Sequence, residues 1–133
     1  MQTTILRKAT IASCALAAAA FMCEASLAVA HDVRTSLERL LEAEHLATAI
    51  LALGGDTAYG EYLGGECVTC HQQSGGSDGI PPIVGLPVDY TVKALVEYKL
   101  GIRPNDVMQL MSKRLANEEI AALAAYFAEI KAD

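Results

Sequence analysis

Cys67-Val68-Thr69-Cys70-His71 is the stretch on which the reading of this 133-residue chain turns. The chain has four cysteines. Cys14 and Cys23 fall in an N-terminal segment with the features of a leader, so Cys67 and Cys70 must account for each other. In an exported protein a lone pair of this kind reads as a disulfide or a redox dithiol, but the next residue is His71. A thioredoxin-like dithiol wants a βαβ setting, and nothing in the sequence shows the strict alternation of a half-buried strand. Zinc wants two further ligands. Only His31 and His45 remain as other histidines, and no cysteine is left to complete the set.

The spacing Cys-x-x-Cys-His is that of a c-type haem attachment sequence. Two thiols three positions apart can add across the two vinyl groups on one side of a porphyrin, while the adjacent imidazole is placed beneath the iron. The expectation is one covalent haem c on Cys67 and Cys70, with His71 as an iron ligand. His31 and His45 read as solvent-facing side chains of the N-terminal segment.

Residues 1–30 read as a signal peptide. Arg7 and Lys8 precede an apolar run from Ala9 to Met22, and Ala28-Val29-Ala30 offers small residues for cleavage. Glu24 interrupts the run, whose apolar core is shorter than the roughly 20 residues a bilayer span needs. Neither Cys14 nor Cys23 has the surroundings of a lipidated cysteine. The expected location is therefore the periplasm, with no stable membrane insertion after cleavage.

The whole chain carries a formal charge of −6, and loss of Arg7, Lys8 and Glu24 leaves 8 basic and 15 acidic residues, a net −7. That sign disfavours nucleic acid and anionic membranes as partners and favours a basic patch on a redox protein. The length leaves room for one small domain, and a hydrophobic content of 53% rules out a wholly disordered chain.

The pattern predicts an all-α domain. A first helix is expected from about Thr35 to Leu53, with Thr35 and Glu38 at capping-box spacing and Gly54-Gly55 as a stop. A shorter one follows from about Thr57 to Leu63, capped by Asp56 and broken at Gly64-Gly65 just before Cys67. Ser74 to Pro87 reads as loop. A third helix is expected from about Val88 to Leu100, with Asp89 and Lys99 matching the helix dipole and Gly101 beyond its end. The last starts after Asn117 as its cap and turns Ile120, Leu123, Phe127 and Ile130 toward a core.

Gly60-Glu61-Tyr62-Leu63, the Cys67 to His71 motif, Gly79-Ile80-Pro81, Arg103-Pro104-Asn105, Val107-Met108, and the run from Glu118 to Phe127 resemble the class I c-type cytochromes. The resemblance covers residues 54–133 and is strongest to the cytochrome subunits of flavocytochrome c sulfide dehydrogenases. It implies a class I cytochrome c fold wrapped around one covalent haem, with the stretch 31–53 as an extra N-terminal amphipathic helix.

By the same resemblance a methionine supplies the sixth iron ligand. Met1 and Met22 belong to the leader, which leaves Met108 and Met111. Alignment with the family's Asn-Pro-Val-Met pattern selects Met108, with Met111 as runner-up, and Asp106 stands where that pattern has Pro. The carbonyl of Pro81 or Pro82 is expected to accept a hydrogen bond from the His71 ring, and Gly60 to be the small residue at which two helices cross near Tyr126 and Phe127.

With both axial positions filled, iron has no open site for substrate, so the resemblance implies an electron carrier rather than an enzyme. The carrier acts freely or as the non-catalytic subunit of a sulfur-compound dehydrogenase, its partner then being a flavoprotein or molybdenum subunit. If neither methionine binds, the reading becomes a five-coordinate gas sensor or peroxidase. Residues 31–53 have no inherited role. Seven of the 15 acidic residues lie between Asp32 and Glu66, and a docking helix for a basic groove is the expectation, with packing back on its own domain as the alternative.

Overall fold

Ala43, Ala47 and Ile50 recur at the spacing of one helix face, and in a computed structural model of the chain all three are buried. The structure describes residues 30–72 and 79–131. The leader, including Cys14 and Cys23, lies outside the described residues but for Ala30, as do Gln73 and residues 74–78 of the expected loop. The chain divides into two compact units, Met1–Glu38 and Arg39–Asp133. In the first, residues 30–38 are helical and exposed. Thr35 is therefore not a cap. Its Oγ1 donates to the His31 carbonyl at 3.0 Å, the back-bond that a threonine inside a helix makes.

The second unit holds α1 (residues 39–51), α2 (Thr57–Val68), α3 (Val88–Lys99), α4 (Asp106–Lys113) and α5 (Asn117–Glu129). No strand occurs among the described residues. Ala43, Ala47 and Ile50 of α1 share one core with Val92 and Val96 of α3 and Ile120, Ala121 and Ala124 of α5. This corrects the expectation of a docking element for residues 39–51. The small and branched residues on that face fill the core, while Leu40 and Leu41 remain exposed. The helix stops as expected, with Gly54 at φ +67°, a conformation glycine adopts at no steric cost.

A second cluster centres on Val84, Leu123 and Phe127, with Leu63, Cys67, Val68, Ile83 and Leu115 packed against it. Here α2 crosses α5. A Cβ on Gly64 would meet Tyr126 Cε1 at 2.8 Å and Phe127 Cζ at 3.3 Å. The expected break at Gly64-Gly65 is thus replaced by continuous helix to Val68. Glycine there costs helix propensity, and the room it leaves for the Tyr126 and Phe127 rings against α2 offsets it.

Two further differences concern caps. The sequence reading placed no helix over Asp106–Lys113, yet Asn105 Oδ1 accepts from the Met108 N–H at 3.0 Å and starts α4. Asn117 is the first residue of α5 rather than its cap. The Glu119 carboxylate accepts from the Ala116 N–H at 2.7 Å, so this start is held by the side chain three residues on. The third helix ends at Lys99, one residue short of the expected Leu100, which is its cap, with Gly101 at φ +69° beyond.

Candidate haem site

The last turn of α2 brings the motif residues together. Beyond Val68 the backbone keeps helical geometry through Thr69, with the Cys70 and His71 N–H groups donating to the Cys67 carbonyl at 3.2 and 2.9 Å. Cys67, Cys70 and His71, at i, i+3 and i+4, therefore share one face of a single turn. Cys67 is half-buried in the second cluster and Cys70 is exposed. Burial pushes the Cys67 thiol up, and the Glu66 carboxylate and Cys70 add to the rise. Cys67 is thus held as a thiol, a weak nucleophile in the bare polypeptide.

His71 Nδ1 lies 2.7 Å from the Pro81 carbonyl oxygen. Of the two prolines expected, Pro81 is the partner. A carbonyl can only accept, so Nδ1 donates in this bond, and Nε2 is the ring nitrogen left for a metal. Among the described residues no three His, Cys, Asp or Glu side chains gather in a way that could hold a metal ion. His31 and His45 occupy exposed helical positions.

Met108 and Met111 both sit half-buried on α4. Their surroundings differ. Met108 is three residues past the Asn105 cap, which fixes its backbone. The Met111 sulfur accepts from Arg114 Nη2 at 3.4 Å. Asp106 occupies the first helical position, which suits Pro through its fixed φ and Asp through the positive end of the helix dipole. Val107 and Leu110 on the same helix are 65% and 66% exposed.

A haem fits this set of groups: two thiols and an imidazole on one turn, the ring already oriented, and apolar side chains for a porphyrin to cover. The sequence reading missed the capping role of Asn105 and, on the turn before it, the pairing of Arg103 with Glu97 (Nη2 to Oε2, 2.9 Å). The Asn105-Asp106 pair, a capping residue before an acidic first turn, was the available signal.

No protein-family model matches the chain. Over 72 residues it is 38% identical to the cytochrome subunit of sulfide dehydrogenase from Chlorobaculum tepidum, covering 53% of this chain and 66% of that one. Over 70 residues it is 34% identical to a thiosulfate dehydrogenase electron acceptor from Stutzerimonas stutzeri, of which it spans only 32%. It is also 35% identical over 80 residues to cytochrome c-554(548) from Halomonas halodenitrificans, and there the match takes in 94% of the relative. The chain belongs to the class I c-type cytochromes. These are haem-bearing electron-transport proteins, and covalently bound haem c is their cofactor. Among the described residues of this cytochrome no helix is long and apolar enough to cross a membrane.

Proposed function

We propose that this cytochrome carries single electrons in the periplasm through one haem c bound by thioethers to Cys67 and Cys70, with His71 and Met108 as axial ligands. The observation that carries the reading is the bond between His71 Nδ1 and the Pro81 carbonyl. It leaves Nε2 as the ring nitrogen free to ligate, and it makes the imidazole a stronger donor. In this reading residues 1–30 are an export leader removed on maturation, and the cofactor belongs to residues 54–133.

When bound, haem c supplies an iron that gains and loses one electron. The chain's own residues set the terms. Cys67 and Cys70 would anchor the group to the end of α2, His71 and Met108 would ligate its iron, and a thioether ligand would raise the reduction potential relative to a second imidazole. With both ligands supplied by side chains, substrate would have no place on the iron, and the chain would relay electrons rather than catalyse a reaction.

The acidic surface favours a redox partner with a basic docking face. The names of the relatives from Chlorobaculum and Stutzerimonas support a sulfur-compound dehydrogenase as electron donor, and in this reading a flavoprotein or molybdenum subunit is the partner that docks. Expression of the full chain with a haem maturation system tests the reading. The expected product starts after residue 30, keeps its haem through acidic solvent extraction, and in the oxidised state has a sulfur-to-iron charge-transfer band in the far red. A high-spin protein that binds carbon monoxide at once contradicts the ligand set and favours a five-coordinate sensor or peroxidase.

A further inference from the structure

Burial of its own side chains does little to hold α4 in place. Of its eight residues only Ser112 is buried, and a helix this short has little stability of its own. Polar groups at the end of α3 and in the turn that follows it reach α4 instead, toward both of its ends.

At the C-terminal end of α4, Lys99 Nζ donates to the carbonyls of Leu115 at 2.6 Å and Lys113 at 3.3 Å. The Lys113 carbonyl belongs to the helix's last turn, which lacks partners within the helix and carries the negative end of its dipole. At the N-terminal end the link runs through Arg103. Its Nε and Nη2 both lie 2.9 Å from Glu97 Oε2, and its guanidinium carbon stands 5.9 Å from the Tyr90 ring centre and 5.3 Å from that of Tyr98. The Ile102 and Arg103 N–H groups donate to the Glu97 carbonyl at 2.8 and 3.2 Å. The Arg103 carbonyl in turn accepts from Gln109 Nε2, on α4, at 2.9 Å. The end of α3 is itself tied to α1, where Arg39 Nη2 donates to the Leu100 carbonyl at 2.8 Å.

We propose that Lys99 and Arg103 form a bracket that clamps α4 at both ends and so sets how readily Met108 leaves the iron. The proposal rests on Met108 being the sixth ligand. Lys99 and Arg103 are positioning residues: they touch the helix that carries the ligand, not the ligand. Loss of either clamp lets α4 move away locally while the α1, α3 and α5 core stays folded, because that core does not include α4.

The test uses the full haem-loaded chain with Lys99→Met and Arg103→Gln, and with Lys93→Met as control. Lys93 pairs with Glu44 at 2.8 Å on the surface, so its replacement removes the same charge away from α4. Two readouts are compared in the oxidised protein: the temperature at which the sulfur-to-iron band is lost against that at which helical circular dichroism is lost, and the affinity for added imidazole. In both bracket variants the band is expected to vanish well before the helices melt and imidazole affinity to rise about tenfold, the scale of one lost hydrogen bond to a charged group. The control behaves as the parent, and Lys99→Arg restores it. If Arg103→Gln takes up no haem, Arg103→Lys, which keeps the charge but loses the planar fork, carries the same comparison. Band and helices lost together, with imidazole affinity unchanged, overturns the bracket. A parent without the band, or a Met108→Ala protein that keeps it, strikes the ligand assignment instead and takes the bracket with it.

Discussion

A Cβ added to Gly60 would stand 2.7 Å from the Cβ of Tyr126. The same atom would lie 2.7 Å from the Ala122 carbonyl carbon, so α2 and α5 touch backbone to backbone where they cross, as the family resemblance led us to expect. This contact sets the position of the turn that bears Cys67, Cys70 and His71.

Gly60→Ala is therefore expected to destabilise the protein by about 1–3 kcal/mol or more, the cost of overpacking where neither backbone can retreat. Gly65→Ala is the matched comparison. A Cβ there meets nothing within 4 Å, so alanine is expected to stabilise by about 0.5–1 kcal/mol through helix propensity. Thermal melts of the two variants should move in opposite directions, and a common direction would refute the crossing.

Ile50 has no exposed surface, and its neighbours come from α1, α3 and α5. Ile50→Ala is expected to cost about 2–5 kcal/mol, as deletion of a large aliphatic side chain from a closed core does. Deletion of residues 31–53 should leave a chain that no longer melts cooperatively. A truncated protein with full thermal stability would return α1 to the role of a docking element.

The two cysteines differ in setting, Cys67 packed in the second cluster and Cys70 exposed. Each single alanine variant is expected to retain haem through the other sulfur, with an absorption spectrum shifted toward that of a porphyrin with one free vinyl group. Cys67→Ala should lower the melting temperature more, since it also removes buried contacts. Acidic solvent should extract haem only from the double variant, and release from either single variant would contradict two thioether links.

The motif and the helix dipole signals were enough to read α3, the end of α1 and the buried face of α5, because those features are local. Three others depend on what lies across the fold. Gly64 reads as a break until Tyr126 and Phe127 are seen to need its missing side chain. α4 goes unread because eight residues next to Pro104 carry too short a pattern, and it is held by Lys99 at the end of α3 and by Arg103 in the turn that follows. The leucines of α1 look like a docking face because the small residues that seat the helix, Ala43 and Ala47, give a weak hydrophobic signal. At the site, the sequence narrowed the His71 partner to two prolines, and only the folded loop selects Pro81.

The central claim is that this cytochrome moves electrons through an iron closed on both sides, by His71 and by Met108. It is tested most directly by adding carbon monoxide to the reduced Met108→Ala and Met111→Ala proteins. The account predicts rapid binding and loss of the oxidised sulfur-to-iron band in Met108→Ala alone, with Met111→Ala, whose sulfur faces Arg114, behaving as the parent. Opening of the site by Met111→Ala alone would reverse the assignment, and an iron indifferent to both substitutions would contradict methionine ligation itself.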